Sequence, residues 1–236
     1  MIPDRSDATL RIASYNVRKA LGTDRRRNPD RILEIIASLK ADVVVLQEAD
    51  HRLYDRPTAL PLDRVAALTG LHPVETPGST SLGWHGNAIL VREGTTVVSV
   101  DHLDLPGIEP RGAVVAELML DRLPLRVVAS HLGLLRRSRK AQLTSLFAHL
   151  ETCAPCPTLM AGDMNEWSST TGLGRLAKRF TIVAPGKTYH ARLPMASLDR
   201  VAVSAQLAVR HAGVLENEQT RRASDHLPIW VDVAHL

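Results

Sequence analysis

The chain has 236 residues, 44% of them hydrophobic, and nothing in it is low-complexity; that is enough for one compact domain over residues 1–236 with a substantial core. No apolar run approaches the ~20 residues of a membrane span, and Met1-Ile2-Pro3-Asp4-Arg5 leads to the first strand without a basic and apolar leader, so a cytoplasmic protein without a transmembrane segment is expected. The net charge is only +4 and aromatic residues make up 3%, which leaves few stacking platforms for single-stranded nucleic acid.

In chain order, Leu10-Arg11-Ile12-Ala13-Ser14-Tyr15-Asn16 reads as a strand that ends in a polar side chain. A basic segment with Arg18, Lys19, Arg25, Arg26 and Arg27 follows. Next comes a helix capped by Asn28, with Pro29 in its first position and Ile32, Ile35, Ile36 and Leu39 on one face. It leads into an apolar strand, Asp42 to Leu46, that ends in Gln47-Glu48. The proline- and glycine-containing stretches Glu75 to Trp84 and Leu103 to Gly112 read as rim loops.

The same order then recurs. Leu125 to His131 is a strand ending in a polar side chain, Arg136, Arg137, Arg139 and Lys140 follow, and Leu143, Leu146, Phe147 and Leu150 mark a helix. The next strand, Thr158 to Ala161, ends in Gly162-Asp163-Met164-Asn165. Gly162 is expected to let the backbone turn. In an extended segment Asp163 and Asn165 point to the same side, where one can accept a proton and the other can hydrogen-bond an oxygen. Asn16 to Glu48 and His131 to Asp163 both span 32 residues, which predicts two strand-helix-strand units of equal length. Strands in such units run parallel and gather functional groups at their carboxyl ends. If the units face each other across a pseudo-twofold axis, Asn16, Glu48, His131 and Asp163 meet in one pocket. Ser197-Leu198-Asp199 and Ser224-Asp225-His226 add two carboxylates and a second histidine.

The two cysteines, Cys153 and Cys156, lie in a loop with no second pair to complete a zinc site, and read as reduced thiols. The two basic segments each follow the first strand of a unit. A basic run is ordinarily a solvated face, but two of them at the mouth of one pocket would also draw in anionic substrates.

Seven pieces in this order, Ser14-Tyr15-Asn16-Val17, Leu46-Gln47-Glu48-Ala49-Asp50, Gly86-Asn87-Ala88-Ile89-Leu90, Ser130-His131-Leu132, Gly162-Asp163-Met164-Asn165, Ser197-Leu198-Asp199 and Ser224-Asp225-His226, make the chain resemble the endonuclease/exonuclease/phosphatase superfamily. That is the fold of deoxyribonuclease I, abasic-site endonucleases and bacterial sphingomyelinases. The resemblance implies an α/β fold: a four-layer αββα sandwich, with two mixed β-sheets face to face and helices outside. Arg18 and Lys19 depart from the histidine or glycine that many small bacterial members carry after Tyr-Asn, and Met164 replaces the usual Phe.

Residue chemistry and the resemblance together assign roles. Glu48, an acid at the end of a buried strand, needs a partner or a metal. With Asn16 and Asp225 it offers oxygens suited to Mg²⁺, with Mn²⁺ as the substitute. Asp163, helped by Asn165, orients and deprotonates an attacking water. Asp199 fixes the tautomer of His226 and favours its protonated ring, which holds the scissile phosphate. The resemblance places His131 on the leaving-group side. Asn87 either supports His131 or is a strand-start amide. Arg111 either reaches a substrate phosphate from a rim loop or is a surface arginine. The expectation is a monomeric, metal-dependent phosphoesterase that takes an anionic small phosphodiester, phosphomonoester or lipid headgroup by in-line attack of water. The alternative is a DNA endonuclease or 3′-end-processing nuclease, with nucleic acid as partner.

Overall fold

Side chains alternate across a strand, and here both faces of the central strands are apolar, so each sheet needs two covers. The computed structural model describes residues 2–3, 8–51, 57–74, 81–168 and 172–236. Met1, Asp4 and Arg5 of the expected leader-free start, and 75–80 of the first expected rim loop, lie outside the described residues.

The first half supplies β1 (Leu10–Asn16), a 3-10 turn (Arg18–Ala20), α1 (Pro29–Ser38), β2 (Val43–Gln47), α2 (Leu62–Thr69), β3 (Leu71–Pro73), β4 (Gly83–Trp84), β5 (Asn87–Arg92), β6 (Thr96–Leu105) and β7 (Arg111–Leu120). The second half supplies β8 (Leu123–His131), α3 (Arg136–Leu150), β9 (Thr158–Asp163), α4 (Gly174–Ala177), β10 (Thr181–Val183), β11 (Asp199–Val203), β12 (Leu207–Val214), α5 (Glu218–Ala223) and β13 (Ile229–His235). One sheet runs β12-β13-β1-β2-β5-β3, with β4 added on β5; the other runs β10-β11-β9-β8-β7-β6.

Three apolar clusters correspond to the three interfaces of a four-layer sandwich. Ile12, Val43, Val45 and Ile89 of the first sheet meet Val127, Ala129, Leu159 and Val201 of the second. On the outer face of the first sheet, Tyr15, Val44 and Leu46 pack with Ile32, Ile35 and Ile36 of α1. On the outer face of the second, Val128, Met160 and Ala202 pack with Leu143, Leu146 and Phe147 of α3. The αββα architecture expected from the motifs is therefore present, and the Asn28 side chain does cap α1, accepting from the backbone N–H of Arg31.

Both expected strand-helix-strand units form. β1 pairs parallel to β2, and β8 parallel to β9 with His131 opposite Asp163. They lie in different sheets, so their carboxyl ends face each other across the sandwich. Two local expectations are corrected. The second rim loop is shorter than expected, because β6 continues to Leu105 and Arg111 opens β7. Gly162 does not end its strand, since β9 runs on through Asp163. Its φ of +148° and a virtual Cβ only 1.8 Å from the Ser130 carbonyl oxygen make it the point where β8 approaches most closely. The turn comes later, at Asn165, which has φ +47°.

Gly162→Ala therefore forces apart two central strands beneath the site. A loss of about 3 kcal/mol in unfolding free energy is expected, read as a lower urea midpoint.

Candidate active site

The carboxyl ends of β1, β8 and β9, the start of β11 and the turn before β13 deliver polar side chains to one buried point. The focus is the Asp163 carboxylate. Its Oδ2 accepts from Asn16 Nδ2 across the sandwich at 3.2 Å and lies 3.3 Å from His131 Nε2 and 3.5 Å from His226 Nε2. Its Oδ1 accepts from the Asn165 backbone N–H at 2.9 Å. Behind His226, Nδ1 stands 2.8 Å from Asp199 Oδ2, which also accepts from the Thr188 hydroxyl at 2.6 Å. All of these residues are buried.

This geometry sets the charges. Burial opposes a proton on His226, but Asp199, then Asp163 and Asp225, outweigh it and push its pKa up to about 10. Burial likewise disfavours the Asp163 anion, but the His131 and His226 rings beside it hold its carboxyl well below the usual carboxylate range. At neutral pH the cluster holds a charged imidazole and an ionised carboxylate side by side.

Next to this cluster a cavity of ≈ 160 Å³ is lined by Glu48, Arg111, His131, His85 and Lys19, among others. Glu48 follows β2 with φ +52°, a conformation rarely adopted by a residue with a side chain. It is held there by the Lys19 N–H on its carbonyl and by close contact with Gly86, where an added Cβ would sit 3.4 Å from the Glu48 Cα. Its carboxylate contacts the Lys19 ammonium, and Asp225 Oδ2 lies 3.4 Å from Arg18 Nε. The Asn16 Oδ1 accepts from the Arg18 backbone N–H, and the Ser224 hydroxyl donates to the Asn16 carbonyl at 2.7 Å. Each of these two carboxylates lies against one of the chain's own cations. Glu48, Asn16 and Asp225 offer oxygen ligands, a set that suits a hard divalent cation, while among the described residues the buried acid and histidine atoms that lie within 4.8 Å of one another are those of Asp163, Asp199 and His226.

Other expected residues have different surroundings. Asn165 is not in an extended segment; its left-handed turn brings its own N–H back to Asp163 while Nδ2 donates to the Leu132 carbonyl at 2.8 Å. Asn87 opens β5 as a strand-start amide and does not bond His131. It donates to the carbonyls of Trp84 and Gly112, tying β5 to β7 beside Arg111. Arg111 is no surface arginine, being buried in the cavity wall with Nε 3.8 Å from Glu109 Oε2. Arg139 leaves the basic cluster: it is buried against Glu166 at 2.7 Å and against the Gly133 and Leu134 carbonyls. Thr188 and Ser224 were not legible as site residues, because a hydroxyl in a loop has no periodic signal, whereas Lys19 belongs to the basic segment expected at the pocket mouth. Cys153 and Cys156 are free thiols in the loop that leads into β9, at the end opposite Asp163, with the Cys153 sulfur 3.8 Å from His149 Nε2.

Asp199→Asn removes the largest charge that keeps His226 protonated. Its titration followed by NMR should move from near 10 down by about 1–3 pH units. Because the folded pKa is raised, this pair stabilises the wild type fully below pH 6.5, and the contribution fades as pH rises through about 10. The variant should lose that pH dependence.

A profile of the Endonuclease/Exonuclease/phosphatase family matches residues 13–226. Among solved structures, an endonuclease/exonuclease/phosphatase from Beutenbergia cavernae is 21% identical (TM-score 0.74), covering 97% of this chain and 72% of its own. A mannosyl-6-phosphatase from Bacteroides thetaiotaomicron is 18% identical (TM-score 0.75), covering 95% and 99%. D. rerio TDP2 complexed with a single-strand DNA product is 19% identical (TM-score 0.71), covering 96% and 99%. At these identities they establish a shared fold. No curated protein matches the chain.

Proposed function

The chain belongs to the endonuclease/exonuclease/phosphatase family, whose members are hydrolases of phosphoesters, and on that premise we propose that it is a Mg²⁺-dependent phosphoesterase acting on a small phosphodiester, phosphomonoester or lipid headgroup. The observation that carries this reading is the meeting of Asn16, His131 and His226 on one oxygen of Asp163, with Asp199 behind His226. Each of these groups is what attack on phosphorus requires.

In this reading the charged His226 ring donates to a non-bridging phosphate oxygen and offsets charge that builds there in the transition state. Asp163, ionised at neutral pH, accepts a hydrogen bond from the attacking water and aligns it opposite the leaving group. A carboxylate with so low a pKa is a weak base, so its main contribution is orientation, with the proton moving late. Asn16 and the Asn165 N–H keep that carboxylate from rotating. His131, on the cavity side, donates to the leaving oxygen. Glu48, Asn16 and Asp225 would hold Mg²⁺, which supplies Lewis-acid neutralisation of the phosphate. Arg111 in the cavity wall binds a phosphate oxygen, and the fork of its guanidinium suits that contact.

The Lys19 ammonium on Glu48 adds a chain-specific feature: to admit the metal, it must move aside. Replacing Lys19 with Met should lower the Mg²⁺ concentration giving half-maximal rate by about fivefold, the order expected for losing one competing charge.

Hydrolysis of bis-p-nitrophenyl phosphate, p-nitrophenyl phosphate and a plasmid with Mg²⁺ or EDTA tests the class. Metal-dependent cleavage of the small esters is expected, with His226→Ala and Glu48→Ala each about 10²–10⁴-fold slower and still folded. Plasmid nicking that both variants lose would move the reading to a nuclease. Absence of all three reactions in folded wild type would refute it.

A further inference from the structure

The turns that reach the catalytic cluster have unusual tips. β8 and β9 run toward the site and β7 and β11 start from it, so the connections 106–110, 132–135 and 184–198, and residues 164–168 after β9, all lie on the site's face of the sandwich. Four of them carry large apolar side chains in solvent: Ile108 (68% exposed), Leu134 (62%) with Leu135 (44%), Trp167 (63%), and Leu193 (70%) with Met195 (65%). Half of the large exposed apolar residues found among the described residues stand on this one face.

Contacts tie them to the mouth. The Leu134 N–H donates to Glu109, next to Ile108, and Leu134 lines the cavity with Glu48 and His131. Trp167 meets Tyr189 edge-to-face at 6.0 Å, and Tyr189 in turn lies 5.0 Å from the His226 ring. The Met195 and Leu193 N–H groups bond the Tyr189 and His190 carbonyls, which keeps the Leu193-Pro194-Met195 tip beside that ring.

Cations follow these apolar tips directly in sequence. Arg136 and Arg137 come straight after Leu134-Leu135, Arg192 precedes Leu193, and Arg25 and Arg26 belong to the loop whose Thr23 carbonyl accepts from Arg192. All five are exposed, and no acid among the described residues pairs with Arg25, Arg26, Arg136 or Arg137. By contrast, the mouth's own acids Glu48, Glu109 and Asp225 each lie against a cation. Arg136 and Arg137 also occupy the first turn of α3, which contains no acid. Cations there oppose the helix dipole, a local disadvantage that helix stability does not explain.

Resting on the phosphoesterase reading, we propose that this face seats on an anionic phospholipid bilayer, so that the enzyme draws its phosphodiester from lipid headgroups at the membrane surface. The apolar tips enter the headgroup boundary while the arginines lie at the level of the lipid phosphates. The cavity that holds Glu48 and His131 then opens toward the headgroups. Nucleic acid fits the face less well, because isolated Leu, Ile and Met tips give a phosphate backbone nothing to bond.

The test is co-sedimentation of the full chain with vesicles of phosphatidylcholine alone or equimolar with phosphatidylglycerol, at low and high salt. Bis-p-nitrophenyl phosphate hydrolysis is followed in parallel. Binding is expected to the anionic vesicles, weakened by salt, with a blue-shifted tryptophan emission that Trp167→Ser abolishes. Ile108→Ser with Leu193→Ser should bind about tenfold less and hydrolyse the soluble ester as the wild type does. Wild type that hydrolyses the ester but stays in the supernatant overturns the membrane surface and leaves the phosphoesterase reading standing. Vesicle binding without ester hydrolysis supports the surface and removes the catalytic reading. A dimer in sedimentation velocity that the double variant dissociates, or equal binding to neutral and anionic vesicles, also overturns the proposal.

Discussion

Everything near the site depends on a buried negative charge that is not allowed to stay alone. Asp163 sits at the end of a strand covered on both faces, where an unpaired carboxylate would be costly. Two imidazoles, one amide and one backbone N–H surround it. His226 is in turn charged because Asp199 behind it, with Asp163 and Asp225, outweighs the cost of its burial. The cluster is therefore a small ionic lattice, in which Asp163 and His226 each favour the charged form of the other. Such a lattice keeps its charges oriented before any substrate arrives, and that preorganisation is where electrostatic catalysis gains most.

The fold supplies what the lattice needs. Parallel pairing of β1 with β2 and of β8 with β9 sends four strand ends in one direction. Stacking the sheets face to face brings the two pairs within hydrogen-bond reach, as the Asn16–Asp163 bond records. Apolar cores lie above, between and below the sheets, so the polar cluster occupies the edge of an otherwise dry interior. Departures from easy backbone geometry gather there as well. Glu48 and Asn165 both take left-handed conformations at strand ends, and both are pinned by backbone hydrogen bonds.

Much of this was legible in the sequence, and the parts that were not share one cause. Periodicity and capping identified β1, α1, β2 and the second unit, because those elements are decided by local pattern and by burial on whole faces. The equal spacing of Asn16 to Glu48 and of His131 to Asp163 also carried over into matching parallel pairs. What pattern cannot give is the direction of a single side chain. Arg139 looked like a member of a basic run and instead turns inward to Glu166. Arg111 looked like a loop residue and is wall. Asn87 could have been a support for His131 or a strand-start amide, and it is the second, bonding Gly112. Gly162 looked like a turn, whereas its lack of a side chain is needed against Ser130 one strand away. Each outcome is set by a partner distant in the chain, to which local periodicity is blind.

The hydrogen bond between Asn16 and Asp163 closes a loop of 147 residues, and the contact of His226 with Asp163 joins the last strand's approach to the second unit. Contacts so far apart in the chain are expensive in loop-closure entropy and form only after the strands that carry them have docked. A nascent chain can thus complete the second sheet, which needs nothing beyond β11, and still lack the lattice, because β12 and β13 of the first sheet come last. The lattice is therefore complete only in a chain whose two sheets have docked, and a chain that stops short of the last strand's approach lacks His226 altogether.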